Sequence, residues 1–267
     1  MWMDLPIFVQ RAPGYFNWTM TYRRDSDIHS TEPYGLLRRL GNQTIHKSLP
    51  PALKPGELPP SPASLWQTRS AKISLLNKKT RGVAWFVSSC VTLSQREDFF
   101  QEVSRHISID VYGKCGNLTC QPSNGPECDR ILDDYKFYIA AENSLCADYV
   151  TEKFYRALEA GVVPIVFGGA DYSAYAPPHS FIDALDFASP KDLAEYLRLL
   201  DNNPALYIKY FEWKKDWQVI RHPFDGWCDL CRKLNNDTEE VKSYEDISKW
   251  WYDDVSCILT PLFNFTG

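Results

Sequence analysis

Apolar and polar residues follow two alternating patterns from about residue 80 onward. Short and nearly continuous apolar runs, typical of strands that are buried on both faces, occupy residues 82–89, 108–113, 134–140 and 162–167. Apolar residues at helical spacing predict helices over residues 95–107, 149–160, 189–203 and 204–217. The second half of the chain therefore alternates between strand and helix.

This alternation predicts an α/β fold with a Rossmann-like, doubly wound parallel sheet. Local signals support the element bounds: Ser189 and Pro190 suit the start of a helix, and Gly161 suits the end of one. Pro164 lies inside a predicted strand, and proline is tolerated there only at an edge or a bulge. Ligands of such folds bind beyond the carboxyl ends of the strands.

The first part of the chain has a different composition. Residues 1–49 are polar and irregular, and residues 50–62 contain six prolines. A stretch so rich in proline forms neither a helix nor a central strand, so we predict an extended linker or an exposed loop. We therefore place a domain boundary near residues 65–78.

Charge and hydropathy exclude two classes of partner. The net charge is −5, which implies no broad basic surface for nucleic acid. The sequence contains no run of about 18 apolar residues that could span a membrane. Its first ten residues lack the basic and apolar regions of a signal peptide.

Two features nevertheless indicate the secretory route. The chain has eight cysteines, and disulfides form in oxidising compartments. It also has five candidate N-glycosylation sites, namely Asn17, Asn42, Asn117, Asn236 and Asn264. A protein facing the lumen would explain both features, and its targeting signal would lie outside this chain.

The cysteine spacing leaves alternatives open. Cys115, Cys120 and Cys128 lie in a loop-like stretch without a paired Cys-x-x-Cys pattern, which favours disulfides over zinc. Cys228 and Cys231, together with Cys257, could form a zinc or redox site, or belong to a tail held by disulfides.

The segment 140–161 carries the candidate chemistry. It joins the third predicted strand to a helix, whose N-terminal N–H groups and dipole favour an anion. Lys153 lies one turn into that helix and could reach a diphosphate, whereas the carboxylate of Glu152 suits the paired hydroxyls of a ribose. Asn143 can donate and accept at the strand end. Arg96 lies near the start of another predicted helix, where the dipole disfavours a cation unless an anion binds there.

Other readings of these residues remain. Glu152 and Lys153 could be ordinary residues in the first turn of an exposed helix, and Arg96 could be a surface residue. Asp25 and Asp27 match the Asp-x-Asp pattern that binds manganese in metal-dependent glycosyltransferases, although this three-residue match lies far from any predicted strand end.

Longer stretches resemble a known family. The sequence "YKFYIAAENSLCADYVTEKFYRALEAGVVPIVFGG" is similar to the donor-binding signature of the α1,3-fucosyltransferases, and "FNWTMTYRRDSDI" and "ISIDVYGKCG" match the same family upstream. The tail "WCDLCRKLN" with "YEDISKWWYDDVSC" resembles arthropod members of the fucosyltransferase C type. The resemblance extends from Phe16 to Cys257.

The resemblance implies an inverting transferase of the GT-B type that holds GDP-fucose in its C-terminal half. Arg96 and Lys153 would neutralise the diphosphate, Glu152 would hold the ribose, and Asn143 and Tyr149 would line the donor pocket. Family members are Golgi membrane proteins with a lumenal catalytic part, and their acceptor would be GlcNAc of a glycoprotein N-glycan. No cofactor is expected, and a divalent metal would not be essential, because Arg and Lys replace it.

The same resemblance implies three regions. Residues 1–70 would be a remnant of the acceptor-side domain with the proline-rich linker, residues 71–220 the GDP-fucose-binding domain, and residues 221–267 a cysteine-containing tail. The family's general base lies in a block that has no counterpart upstream of residue 16. We therefore expect an N-terminally truncated chain that lacks the general base and the membrane anchor.

Departures from the family pattern bear on activity. Ser89 stands where the family usually has Asn, and Ala141 stands where it usually has Phe, which could loosen a donor contact and leave a small void. Together with the missing base, these departures leave open a catalytically inactive fragment that binds the donor or a glycan.

Overall fold

The structure is a computed structural model that describes residues 12–40, 76, 78–120, 126–221, 223 and 225–258. The strands, in chain order, are β1 (Met20–Thr21), β2 (Ile28–His29), β3 (Leu36–Arg39), β4 (Arg81–Phe86), β5 (Ile109–Tyr112), β6 (Tyr135–Ala141), β7 (Leu145–Cys146), β8 (Val163–Phe167), β9 (Ile182–Asp183), β10 (Trp217–Ile220) and β11 (Cys257–Ile258). The α-helices are α1 (Arg96–Ser104), α2 (Pro126–Leu132), α3 (Glu152–Glu159), α4 (Pro190–Asp201), α5 (Pro204–Tyr207) and α6 (Asp225–Leu234). Within these ranges, no helix combines the length and apolar content needed to cross a bilayer.

The centre of the molecule is a parallel sheet of five strands in the order β5-β4-β6-β8-β9. The chain first runs from β4 outward to β5, and then returns to build β6, β8 and β9 on the other side of β4. The winding direction therefore reverses between β4 and β6. This arrangement confirms the predicted doubly wound α/β fold.

Both faces of the sheet are covered, because successive strand residues point in opposite directions. Val83 and Trp85 of β4 belong to a core that includes the inner faces of α1 and α4. Ala84 belongs to a second core on the opposite face, which α3 covers with Phe154 and residues one turn further on. Burying one such Phe side chain stabilises the fold by roughly 1.5–3 kcal/mol, so the near-continuous apolar runs reflect packing on two sides.

The predicted elements are confirmed, with ends that differ by a few residues, except in the stretch 204–217. There α5 has only four residues and is followed by a 3-10 helix at Ile208–Lys215, so the prediction of one continuous helix is wrong. Residues from Trp217 onward form β10, which pairs antiparallel with β3. Of the residues predicted to be helical, only Trp217 joins this strand.

Pro164 fits the sheet for a simple reason. It pairs with Tyr138 of β6 on one side, whereas the two-residue edge strand β9 first pairs at Ile165 on the other side. A residue without an N–H group therefore lies beside a position that the edge strand does not occupy.

Residues 12–40 pack against the C-terminal part of the chain. Besides the β3–β10 pair, Phe16 forms an antiparallel bridge with Tyr244, and the Arg23 guanidinium lies 4.1 Å from the ring centroid of Trp250. The Phe16 and Arg23 contacts join the first and last of the three predicted regions, and the β3–β10 pair joins the first to the second. The division into 1–70, 71–220 and 221–267 stays a prediction.

Candidate functional site

An open cleft of about 290 Å³ lies at the carboxyl ends of β4, β5 and β6, where the winding direction reverses. Such a position is where doubly wound sheets bind their ligands. All five side chains predicted as site residues line this one cleft: Arg96, Asn143, Tyr149, Glu152 and Lys153. The structure therefore brings together residues that are separated by up to 57 positions in the sequence, and their roles in binding stay predictions.

The loop after β6 is organised by Glu142, whose side chain is fully buried. Its Oε1 accepts hydrogen bonds from the Thr151 backbone N–H at 2.9 Å and from the Thr151 hydroxyl at 2.8 Å. Its Oε2 accepts one from the Lys153 ammonium group at 2.8 Å, and that group also donates to the Thr151 hydroxyl at 2.7 Å. Lys153 is thus held by the side chains of Glu142 and Thr151.

Arg96 is only 3 % exposed, so the surface reading is wrong. It is the first residue of α1, and its guanidinium donates to the carbonyls of Ala141 and Ser89, the latter at 3.3 Å. Its Nε–H has no hydrogen-bond partner among the described residues. Burial lowers the pKa of Arg96, and the charge of Glu142 opposes this shift. Because arginine remains protonated at neutral pH, a buried cation faces the cleft.

Asn143 and Tyr149 supply neutral polar groups. The side-chain oxygen of Asn143 is buried without a hydrogen-bond partner in the described part of the chain. Burying an amide oxygen without a hydrogen-bond partner destabilises the fold unless a ligand or a water molecule donates to it. Tyr149 is 7 % exposed, and burial raises the pKa of its hydroxyl, which therefore stays protonated and able to donate at neutral pH.

Glu152 adds the negative charge of the cleft. Its side chain is half-buried at the start of α3. The pKa of Tyr34 is raised to about 12, mainly by burial and then by the nearby carboxylates of Glu152 and Glu142. The phenol of Tyr34 is therefore neutral beside Glu152, and the two groups line the same cleft.

Sequence reasoning missed Arg156 and the aromatic lining. Arg156 lies one turn beyond Glu152 on α3, is 5 % exposed, and pairs through Nε with Asp129 Oδ1 at 3.1 Å. Its place four residues after Glu152 was a usable signal, because residues at that spacing share a helix face. The aromatic lining comes from Tyr34, Phe86, Tyr112 and Tyr138 together with Tyr149.

Gly113 and Ser89 shape the rim of the cleft. Gly113 has φ +100°, and a Cβ there would lie 2.5 Å from the Val87 carbonyl oxygen, so glycine is required for the turn after β5. Ser89 is exposed and lines the cleft through the segment that follows β4. Ala141 is fully buried at the end of β6 and belongs to the core that α1 covers.

The Asp-x-Asp pair lies elsewhere and has partners of its own. Asp25 forms an ion pair with Arg23. Asp27 accepts hydrogen bonds from the Thr19 backbone N–H at 2.9 Å and the Tyr244 hydroxyl at 2.7 Å, and pairs with Lys242. Asp27 thus fastens the N-terminal segment to the tail, whereas the ion pair of Asp25 lies within that segment. In the described ranges, no three His, Cys, Asp or Glu side chains cluster as metal ligands would.

Cys115, Cys120 and Cys128 all form disulfides, as predicted. The bonds are Cys90–Cys115, Cys120–Cys128 and Cys146–Cys257. The last one removes Cys257 from any zinc or redox site with Cys228 and Cys231, so that three-cysteine alternative is wrong. Cys228 and Cys231 are exposed thiols on α6.

The candidate glycosylation sites are partly described. Asn17, Asn117 and Asn236 are exposed, as an acceptor asparagine must be, although the Asn17 amide donates to the Lys242 carbonyl at 2.7 Å. Asn42 and Asn264 lie outside the described residues. Glycosylation at all five positions stays a prediction.

Comparison with known proteins establishes the family. Residues 76–250 match the model of the C-terminal part of glycosyltransferase family 10, the fucosyltransferases. The chain belongs to this family. It is 43% identical over 250 residues to α-(1,3)-fucosyltransferase C of Drosophila melanogaster, covering 92% of this chain and 56% of that protein. It is 38% identical over 272 residues to glycoprotein 3-α-L-fucosyltransferase A of the same organism, covering 99% of this chain and 49% of that protein.

The family 10 chain therefore spans about half the length of the curated relatives it matches. A crystal structure of an α1,3-fucosyltransferase with GDP-fucose aligns with 74% of this chain and 60% of its own, at 21% sequence identity and a TM-score of 0.52. At this identity the alignment supports the fold alone.

Proposed function

We propose that this chain forms the GDP-fucose-binding part of an inverting α1,3-fucosyltransferase that acts on GlcNAc of a glycoprotein N-glycan. The observation that carries the proposal is the convergence of Arg96, Lys153 and Arg156 with a carboxylate and aromatic side chains in one cleft of a family 10 chain. The relatives named above as α1,3-fucosyltransferases support the linkage.

The diphosphate lies between Arg96 and Lys153 in this proposal. Arg96 offers an Nε–H that has no partner among the described residues, and Lys153 offers an ammonium group 18 % exposed at the cleft. Hydrogen bonds from charged donors to phosphate oxygens are about twice as strong as neutral ones. Two fixed cations therefore neutralise a diphosphate without a metal ion, and donor binding should persist in EDTA.

The nucleoside occupies the rest of the cleft. Glu152 accepts hydrogen bonds from the two ribose hydroxyls, because a carboxylate oxygen can serve each of them. The aromatic rings and Arg156 line the remaining surface, which suits the flat guanine base. Asn143 and Tyr149 contribute neutral donors and acceptors toward the sugar and phosphate.

The reaction proposed is a single displacement. The oxygen of the acceptor hydroxyl attacks the anomeric carbon of fucose, the bond from that carbon to the β-phosphate oxygen breaks, and GDP departs with the electron pair. Arg96 and Lys153 stabilise the charge that grows on the departing phosphate. The hydroxyl proton goes to a general base, and we assign no residue of this chain to that role.

The disulfides and the candidate glycosylation sites indicate the compartment in which the protein acts. The three disulfides require an oxidising compartment, and three exposed candidate glycosylation sites fit passage through the secretory route. We propose the Golgi lumen.

Calorimetric titration with GDP in EDTA tests donor binding. The wild-type chain should bind GDP more tightly than 2′,3′-dideoxy-GDP, and Glu152→Gln should lose about tenfold in GDP affinity with little change for the dideoxy analogue. Glu159→Gln, at the exposed end of the same helix, is the matched control and should bind both as the wild type does. Absence of GDP binding by the wild-type chain at millimolar concentration would refute the proposal.

A transfer assay separates the enzyme from a binding module. Labelled GDP-fucose is incubated with an N-glycan acceptor, and fucosylated product is measured against a Lys153→Met chain. Product formed only by the wild type supports transfer. GDP binding without any product would favour the alternative of a catalytically inactive donor-binding fragment.

A further inference from the structure

Glu142 is fixed by its backbone as well as by its side chain. Its N–H donates to the Phe167 carbonyl at 2.9 Å, and its own carbonyl accepts from the Ser94 hydroxyl at 2.7 Å. Its carboxylate holds Thr151, the residue that precedes α3, and Lys153 in the first turn of that helix. One fully buried residue therefore ties the end of β6 to the start of α3. That helix carries Lys153 and Glu152, the carboxylate proposed to bind the ribose.

The three side chains form a closed triangle. The Lys153 ammonium donates to Glu142 at 2.8 Å and to the Thr151 hydroxyl at 2.7 Å, and that hydroxyl donates to Glu142. Lysine has one of the largest losses of rotamer freedom when it is ordered. Here the ordering is complete before a ligand arrives, so less of the binding free energy is lost when an anion meets the ammonium group.

The charge of Glu142 would act in the opposite direction if Lys153 were absent. A buried carboxylate beside an anion site repels phosphate, and the repulsion is strong because the surroundings are poorly polarisable. The helpful effect of Glu142 on anion binding must therefore pass through Lys153. This dependence gives the residue a signature that a purely structural role lacks.

We propose that Glu142 is a positioning residue of the donor cleft, which holds Lys153 and the start of α3 in place for the diphosphate. This inference rests on the proposed function of the cleft and adds a residue to which that function assigns no role. It predicts that Glu142→Gln weakens GDP binding when Lys153 is present, and fails to weaken it when Lys153 is absent.

The test measures GDP and guanosine affinities for four chains. These are the wild type, Glu142→Gln, Lys153→Met and the double variant, with GDP followed by calorimetry and guanosine by competition. Glu142→Gln should lower GDP affinity about tenfold and leave guanosine affinity unchanged. In the Lys153→Met background the same substitution should raise GDP affinity, because it removes an unpaired negative charge.

Two further variants test whether a change in local charge alone explains the result. Thr151→Val breaks one side of the triangle without changing charge, and should lower the ratio of GDP to guanosine affinity by a smaller factor. Asp183→Asn removes a carboxylate that caps a 3-10 turn by accepting from the Leu185 N–H at 2.9 Å, outside the cleft, and should leave the ratio unchanged.

The outcomes separate the two proposals. A wild-type chain that binds no GDP refutes the proposed function and this inference with it. A wild-type chain that binds GDP, with Glu142→Gln either equal to it or weakened by the same factor in both Lys153 backgrounds, refutes the inference alone.

Discussion

Lys153→Met should destabilise the fold before any ligand is considered. Lys153 is 18 % exposed, but its partner Glu142 is fully buried, so the substitution leaves an uncompensated carboxylate in the interior. Removing one partner of a buried ion pair typically lowers the free energy of unfolding by 3–5 kcal/mol. Since Thr151 still donates two hydrogen bonds to Glu142, we expect a loss of about 3 kcal/mol, at the low end of that range.

Urea denaturation at pH 7 measures this loss. A second substitution, Glu142→Gln, should return the double variant to within about 1 kcal/mol of the wild type, because no charge then remains unpaired. Lys191→Met is the matched control. Its ion pair with Glu195 is mostly exposed on both sides, so the loss should stay below about 0.5 kcal/mol.

The reasoning about the buried pair would be refuted by either of two results. One is a Lys153→Met chain within about 1 kcal/mol of the wild type. The other is a double variant that is less stable than Lys153→Met alone. The result also affects binding studies, because a GDP affinity measured on the single lysine variant needs proof that the chain is folded.

Two predictions concern the periphery of the fold. The Cys146–Cys257 disulfide spans 111 residues, whereas Cys120–Cys128 spans 8. In urea denaturation, replacing the first pair by serine should lower the free energy of unfolding by about 4–5 kcal/mol, and replacing the second by about 2–3 kcal/mol. Equal losses would contradict this prediction. The second prediction concerns Asp27. Burial alone would raise its pKa, but an ion pair and hydrogen bonds outweigh burial and lower the pKa of Asp27 to about 2. The stability from this carboxylate is therefore present above about pH 4 and lost as pH falls through about 2. The stability deficit of Asp27→Asn in urea should shrink in acid, and a constant deficit would contradict this prediction.

The sequence predicts the sheet and its cleft well, for a physical reason. Strands buried on both faces leave long apolar runs, and the segments after parallel strands all meet at one edge of the sheet. Arg96 and Lys153 could therefore be assigned to one site although a chain of 56 residues separates them. The family resemblance added Tyr149, whose place in the cleft no local pattern shows.

The parts that could not be predicted depend on tertiary contacts. Nothing in the local pattern shows that Glu142 turns inward to pair with Lys153, since an acid after a strand is equally common in exposed loops. The pairing of β10 with β3 joins two segments that lie far apart in the sequence, and no local pattern in either segment shows it. The same holds for Asp27, which resembled a metal ligand and proved to fasten the N-terminal segment to Lys242 and Tyr244.

The most direct test of the central claim is a crystal structure of the chain with GDP. The account predicts the diphosphate between the side chains of Arg96 and Lys153, with the ribose hydroxyls within hydrogen-bond distance of Glu152. GDP bound on any other surface, or in the cleft with its phosphates turned away from both cations, would contradict it.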